Sequence, residues 1–243
     1  MKKFVRTLLY NITGRMCRTF VLGDIHGAYR ALRQCLERAA FHPETDHLIA
    51  LGDVADGWPE TKACIEHLMS LKNLTYLLGN HDYWALEWMQ TGITDALWYE
   101  QGGKATVESY AETVPQSHIH FLMQALPFFL KDNRLFVHAG FDPARPIEHQ
   151  SLQTLIWDRS FARKALDLHS DGQPGKLTRY DEVYLGHTPT MTGEPVHAGE
   201  VWLMDTGAGW SGCLTIMNID TKEIFASDPV PQLYPGIEGR SRR

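Results

Sequence analysis

Five short runs in this sequence gather side chains that can hold cations or move protons. The first is Gly23-Asp24-Ile25-His26-Gly27. At the end of a strand, residues two apart point to the same side, so Asp24 and His26 can converge on one cation while Ile25 turns inward. Alone, such a triplet reads equally as a turn with a capping aspartate. The second run is Gly52-Asp53-Val54-Ala55-Asp56-Gly57, where one carboxylate can bridge two cations and another can orient a neighbour. Its bland alternative is a loop whose aspartates cap the helix that starts near Pro59. In the third, Gly79-Asn80-His81-Asp82, the amide and the imidazole project differently, so one can bind metal while the other faces substrate. Asp82 falls in the first turn of a helix, where its charge meets the positive dipole end. The last two runs, His138-Ala139-Gly140 and Gly186-His187-Thr188-Pro189, each place a histidine after a hydrophobic strand. A lone histidine there is usually structural. Five strand ends that all present Asp, Asn or His are a sharper signal, because open α/β sheets bind ligands at the carboxyl ends of their strands.

Together these runs resemble the calcineurin-like metallophosphoesterases, and within them the Ser/Thr protein phosphatase branch. The likeness extends from Gly23 to His187 and continues weakly through Asp205-Thr206-Gly207. It implies that Asp24 and His26 hold one metal, that Asp53 bridges, and that Asn80, His138 and His187 hold the other. It also implies that His81, paired with Asp56, is the general acid, and that Arg159 in Trp157-Asp158-Arg159 binds the substrate phosphate alongside Asn80. The expected reaction is hydrolysis of a phosphate monoester by a metal-bound hydroxide, with a phosphorylated protein or a small phosphate ester as substrate. The sequence departs from the protein-phosphatase pattern at Gly57, where arginine is expected, at Asp82 in place of Glu, and at Ala139 in place of Gly. Asp82 and Ala139 also resemble the symmetrical dinucleoside tetraphosphate hydrolase branch, which makes dinucleoside polyphosphate the alternative substrate. A catalytically inactive binding module is the non-enzymatic alternative. Oxygen and imidazole donors without thiolate suit Mn, Fe or Zn, and the resemblance favours two manganese ions.

The elements that must position these residues are visible as apolar runs. Thr19 to Leu22, His47 to Leu51 and Leu74 to Leu78 read as buried strands. Ala28 to Ala40 and Pro59 to Leu71 read as amphipathic helices between them. Strands alternating with helices indicate a layered α/β domain. Residues 82–126 read as an aromatic-rich helical excursion. Phe128 to Leu130, Leu135 to His138, Glu182 to Leu185, Val201 to Met204 and Cys213 to Ile219 read as a second, more antiparallel sheet. The resemblance implies an α/β fold in which a two-sheet β-sandwich is flanked by helices in four layers. The expected organisation is one domain over residues 1–243, with Ser170 to Lys176 as a loop near the site and residues 229–243 as a surface tail. Within that tail, Ile237-Glu238-Gly239-Arg240 matches a scar of recombinant expression.

Composition narrows the function classes. A 44% hydrophobic content and seven Trp can fill a substantial core. A net charge of −6 argues against a general nucleic-acid groove, which draws its affinity from Lys and Arg. Cys17, Cys35, Cys64 and Cys213 lack metal or disulfide spacing and read as free thiols in a reducing compartment. Met1 to Tyr10 lacks the long apolar segment of a signal peptide, and no run approaches a membrane span. The expectation is a cytoplasmic protein without membrane partners. His42, His47, His67, His118, His120, His149, His169 and His197 have no comparable context and are assigned to no site.

Overall fold

A computed structural model describes residues 17–111, 113–172, 175–190 and 192–240. The Met1 to Tyr10 reading and the last three residues of the tail lie outside them. The first half of the chain alternates as the apolar runs predict. Strand β1 (Thr19–Leu22) leads to helix α1 (Tyr29–Arg38), then β2 (His47–Ala50), α2 (Thr61–Met69) and β3 (Leu74–Tyr76). Helix α1 buries Ala31, Leu32, Cys35 and Leu36 on one stripe at helical spacing. The helical excursion consists of α3 (Asn80–Thr91), α4 (Ala96–Trp98), a π-helical turn, α5 (Lys104–Tyr110) and α6 (Gln116–Met123). Gly92, in the left-handed conformation at φ 70°, stops α3.

The second half supplies β4 (Phe128–Lys131), β5 (Arg134–Val137), α7 (Leu152–Trp157), α8 (Ser160–Ser170), β6 (Glu182–Leu185), β7 (Val196–Ala198), β8 (Val201–Leu203), β9 (Thr215–Asn218), β10 (Ile224–Ala226) and α9 (Val230–Leu233). Two five-stranded sheets result, in the orders β10-β9-β1-β2-β3 and β4-β5-β6-β8-β7. Each has a parallel centre, β1-β2-β3 in one and β5-β6-β8 in the other, with antiparallel strands only outside it. The second sheet is therefore mixed rather than mostly antiparallel. Thr215–Asn218, expected in that sheet, instead pairs antiparallel with β1 of the first. Its side chains are buried on both faces, and no alternation marks which sheet it joins.

Three apolar layers separate four layers of structure. Phe20, Leu22 and Leu48 pack against α1, α2, α3 and α6; Leu135, Val137 and Val183 pack against α7 and α8. Between the sheets lie Val21, Ile49, Leu51, Phe136, Tyr184 and Met217. The fold is thus a two-sheet sandwich with helices on both outer faces. Two loop expectations change. Gly175, in the Ser170 to Lys176 loop, passes close to Gly199, and Leu177 N donates to Glu200, just before β8 begins. That is the end of the sheet remote from His187, which follows the end of β6. The segment after Pro229 is not a mere surface tail: Val230 and Tyr234 are buried, the Tyr234 ring stacks on Trp58 at 5.1 Å, and the Ile237 to Arg240 run, read above as a scar, packs onto the fold with Arg240 N donating to Gly209 O. No described helix is long and apolar enough to cross a membrane.

Candidate metal centre

All six predicted ligands leave the carboxyl ends of parallel strands and meet where the two sheets adjoin. Asp24 and His26 follow β1, Asp53 follows β2, and Asn80 and His81 open α3 just after β3. His138 follows β5, and His187 follows β6. Every one of these side chains is buried. His26, Asp53, Asp56 and His187 all adopt left-handed backbone, at φ 51°, 51°, 73° and 61°. Such conformations cost free energy in non-glycine residues and persist where the surroundings fix them. Here the fixing bonds come from site to site: the Ile25 and His26 amides donate to Asp53 O, His81 N donates to Asp53 Oδ1 at 2.9 Å, and His187 N donates to Asp24 Oδ2 at 2.9 Å.

Two donor groups share one carboxylate. Asp24, His26 and Asp53 offer atoms within 4.8 Å of one another, and so do Asp53, His138 and His187. Tautomers follow from the partners. His138 Nδ1 lies 2.8 Å from Leu51 O, which can only accept, so Nδ1 carries the proton and Nε2 keeps its lone pair. That lone pair faces Asn80 Oδ1 at 3.1 Å and Asp53 Oδ2 at 3.5 Å. Three acceptor atoms, one each from His138, Asn80 and Asp53, thus converge. His26 behaves alike, with Nδ1 donating to Ala55 O at 3.1 Å and Nε2 3.7 Å from Asp53 Oδ2. In His187 the roles reverse: Nε2 donates to Trp157 O at 3.2 Å, which leaves Nδ1 as the free donor atom.

Charge and space agree with cations at this place. Burial pushes the Asp53 carboxyl up to about 8, and burial together with the Asp205 and Asp53 charges pushes Asp24 up as well. Burial lowers His138 to about 4 and holds His26 and His187 well below the usual histidine range, so the imidazoles are neutral. Asp24 Oδ1 is buried with no hydrogen-bond partner. A Cβ at Gly79 would stand 2.0 Å from Asp53 Oδ1, and one at Gly186 would stand 2.2 Å from Asp24 Oδ1, so only glycine admits these carboxylates. Crowded carboxylates beside unprotonated imidazoles are what divalent cations relieve, and the residues present fit them.

Residues 17–208 match the calcineurin-like phosphoesterase family. The chain belongs to that family. It is 28% identical to serine/threonine-protein phosphatase 1 of Salmonella typhimurium, over 82% of this chain and 91% of that one. It is 26% identical to the symmetrical bis(5'-nucleosyl)-tetraphosphatase of Pseudomonas fluorescens, over 89% of this chain and 98% of the relative. A serine/threonine phosphatase structure from Saccharomyces cerevisiae shares the fold with a TM-score of 0.59 at 15% identity, covering 92% of this chain and 82% of that one. Membership makes this calcineurin-like chain a metal-dependent phosphoester hydrolase of a family that uses paired metal ions.

The remaining predicted residues surround this centre. His81 Nδ1 lies 2.6 Å from Asp56 Oδ2, and Asp56 also accepts from Trp98 Nε1 at 2.7 Å and Thr106 Oγ1 at 2.8 Å. Burial raises Asp56 to about 7 and pushes His81 well down. The Trp98 and Thr106 donors offset part of that rise, and the short contact directs the Nδ1–H of His81 at the Asp56 carboxylate. Arg159 is exposed and donates from Nη2 to His187 O at 3.4 Å. Sequence reasoning did not find Trp98 and Thr106, nor the depth to which Asp82 reaches. Asp82 does sit in the first turn of α3, but it accepts from the amides of Asp53, Val54, Ala55 and Gly79 and from Tyr76 OH. It therefore shapes the Asp53 loop rather than only meeting a helix dipole. Asp205 accepts from Gly207 N, is buried, and its charge acts on Asp24. No arginine follows Asp56, but an arginine side chain reaches Gly57 from elsewhere: that of Arg240.

Proposed function

We propose that this chain hydrolyses phosphate monoesters, namely phosphoserine or phosphothreonine in proteins or small phosphate esters, with two divalent cations held by Asp24, His26, Asp53, Asn80, His138 and His187. The observation that carries the reading is Asp53, a single carboxylate common to two donor groups, with the His81–Asp56 pair beside it. When bound, the cations neutralise the phosphoryl oxygens and lower the pKa of water toward about 7. Manganese is the proposed pair on the family resemblance alone; the oxygen and imidazole donors, without thiolate, suit manganese, iron and zinc alike.

The chain's own residues do the rest. Asp56 holds His81 by Nδ1, so Nε2 is the atom that takes up a proton from solvent, giving an imidazolium paired with the Asp56 carboxylate, and passes that proton to the departing alkoxide. Asn80 and Arg159 orient the phosphate, the latter through its planar fork of donors. Cys35, Cys64 and Cys213 are reduced thiols, which supports a reducing cytoplasm as the place of the reaction. A second reading, symmetrical cleavage of dinucleoside polyphosphates, draws support from Trp84 and Trp157. These half-buried rings meet edge to face at 4.6 Å, next to His81 and His187, and offer a surface on which a nucleobase can stack.

The deciding experiment screens the Mn-loaded protein against p-nitrophenyl phosphate, phosphopeptides, nucleotides and dinucleoside polyphosphates, with metal content measured alongside. Phosphate release from phosphopeptides is the expected preference. Faster nucleotide release from diadenosine tetraphosphate would reverse the ranking. Failure on every substrate with metal bound would leave an inactive binding module.

A further inference from the structure

The segment after α9 returns across the molecule and delivers a guanidinium to the metal centre. Arg240 N donates to Gly209 O at 2.9 Å, and Gly239 lies against the Trp58 ring, where a Cβ would come within 2.8 Å of Cζ2. The stem of Arg240 then runs over three glycines from separate loops. A Cβ at Gly57 or Gly102 would stand 3.0 Å from Arg240 Cγ, and one at Gly209 would stand 3.2 Å from Cδ. The head lies 4.7 Å above the Trp210 ring, donates from Nε to Gln101 O at 3.1 Å, and places Nη1 3.3 Å from His26 Nε2.

What the head lacks is as telling as what it touches. The charges of Asp53, Asp56, Asp205 and Asp24 all act on it, yet among the described residues no carboxylate reaches ion-pair distance of Arg240. An arginine that merely fastened the chain end would close a forked pair with one of them. Here an aromatic face and a carbonyl hold the group, and the terminal N–H donors stay clear of every carboxylate. The acceptor that Nη1 does meet, the lone pair of His26 Nε2, is the one that a cation on Asp24, His26 and Asp53 requires. Once a cation takes it, the terminal donors of Arg240 need another acceptor at the same place. A phosphate group bound at this centre would supply it, its oxygens matching the guanidinium fork.

We propose that Arg240 is a phosphate-binding residue of this centre, contributed by the C-terminal segment and bonded to the phosphoryl group of substrate and product. The proposal rests on phosphoester hydrolysis but not on which ester is cleaved. The test titrates inorganic phosphate calorimetrically into the Mn-loaded protein, into Arg240→Ala and into Arg240→Lys, with metal content and melting temperature recorded. The expected result is phosphate binding weakened on the order of 10- to 100-fold in Arg240→Ala, the loss of a charged, forked hydrogen bond. Lysine should recover only part of it, with metal content unchanged. Equal phosphate affinity in the parent and Arg240→Ala overturns the proposal. So does tighter binding of phosphate or Mn by Arg240→Ala, which would mark the arginine as a plug. If the alanine variant does not fold, the lysine variant decides: it must lose phosphate affinity while its melting temperature holds. Turnover of p-nitrophenyl phosphate by the parent is read separately. A parent that binds phosphate through Arg240 without turnover sinks the hydrolase reading and leaves Arg240 in place.

Discussion

At the scale of single residues, His81 is the side chain whose loss separates metal binding from proton transfer. Its backbone amide is tied to Asp53, but its ring is turned away to Asp56, inside a cage completed by Trp98 and Thr106. His81→Asn should therefore keep both cations and the fold while losing about 100- to 10,000-fold in turnover of an alkyl phosphate, the usual contribution of a placed general acid. On an activated aryl phosphate, whose leaving group needs no proton, the loss should be far smaller. Steady-state rates on the two ester types, with metal analysis of the variant, check this; near-normal alkyl phosphate turnover would remove His81 from the acid role. The side chains in this argument differ in how legible they were. His81 and Asp56 stand within short motifs at strand ends, where residue type and spacing announce them. Trp98, Thr106 and Arg240 come from segments 42, 50 and 214 positions from their partners, and nothing local marks them.

At the scale of elements, the start of α3 sets the loop that carries Asp53. The Asp82 carboxylate receives four backbone amides and the Tyr76 hydroxyl, at 2.7 to 3.2 Å. In Asp82→Asn one oxygen becomes an amide nitrogen that confronts N–H donors. The variant should lose about 2–3 kcal/mol of stability, the scale of hydrogen bonds to a charged group, and should bind less metal. Urea unfolding and metal titration measure both, and an unchanged midpoint would show that the carboxylate does not organise the loop. Strand β2 carries a second, pH-dependent element. Its first residue, His47, bonds Thr75 Oγ1 of β3 at 2.9 Å and meets the Phe129 ring of β4. Burial, reinforced by the Lys131 charge, lowers its pKa from 6.5 to about 4. Between those values the unfolded chain binds more protons than the folded one, so stability falls as pH drops from 6.5 to 4 and levels off below. His47→Gln should flatten that part of the acid loss; equal losses in both proteins between pH 7 and pH 4.5 would exclude the residue. The strands themselves were largely legible, because contiguous apolar runs ending in Gly and a polar residue mark buried parallel strands. The sheet to which β9 belongs was not, since a strand buried on both faces carries no signature of its neighbour. Edge strands β7 and β10 have three residues each, too few to show a period.

At the scale of the whole molecule, the centre is a seam between two halves. Asp24, His26, Asp53 and Asn80 belong to the first sheet, whereas His138 and His187 belong to the second. Away from the seam the sheets are joined by the apolar middle layer, where Phe136 and Tyr184 of the second sheet, stacked at 4.7 Å, share a buried cluster with Val21, Ile49 and Met217 of the first. At the seam itself, Asp24 and Asp53 are buried near each other, with Asp205 adding to the repulsion. Cations bound there act only on the folded chain, since unfolding scatters ligands from five strand ends. Stabilisation then follows the ratio of free cation to Kd and amounts to about 4 kcal/mol for one site at a 1,000-fold excess. For a chain of this size that corresponds to a rise in Tm of roughly 10 °C. Scanning calorimetry of the Mn-loaded and the chelator-treated protein should show such a gap. Gly186→Ala, whose Cβ would press on Asp24 Oδ1, should narrow it by displacing one ligand of the first group. If both preparations of the parent melt together while metal is demonstrably bound before chelation, the cations sit elsewhere, and the seam is held by apolar packing alone.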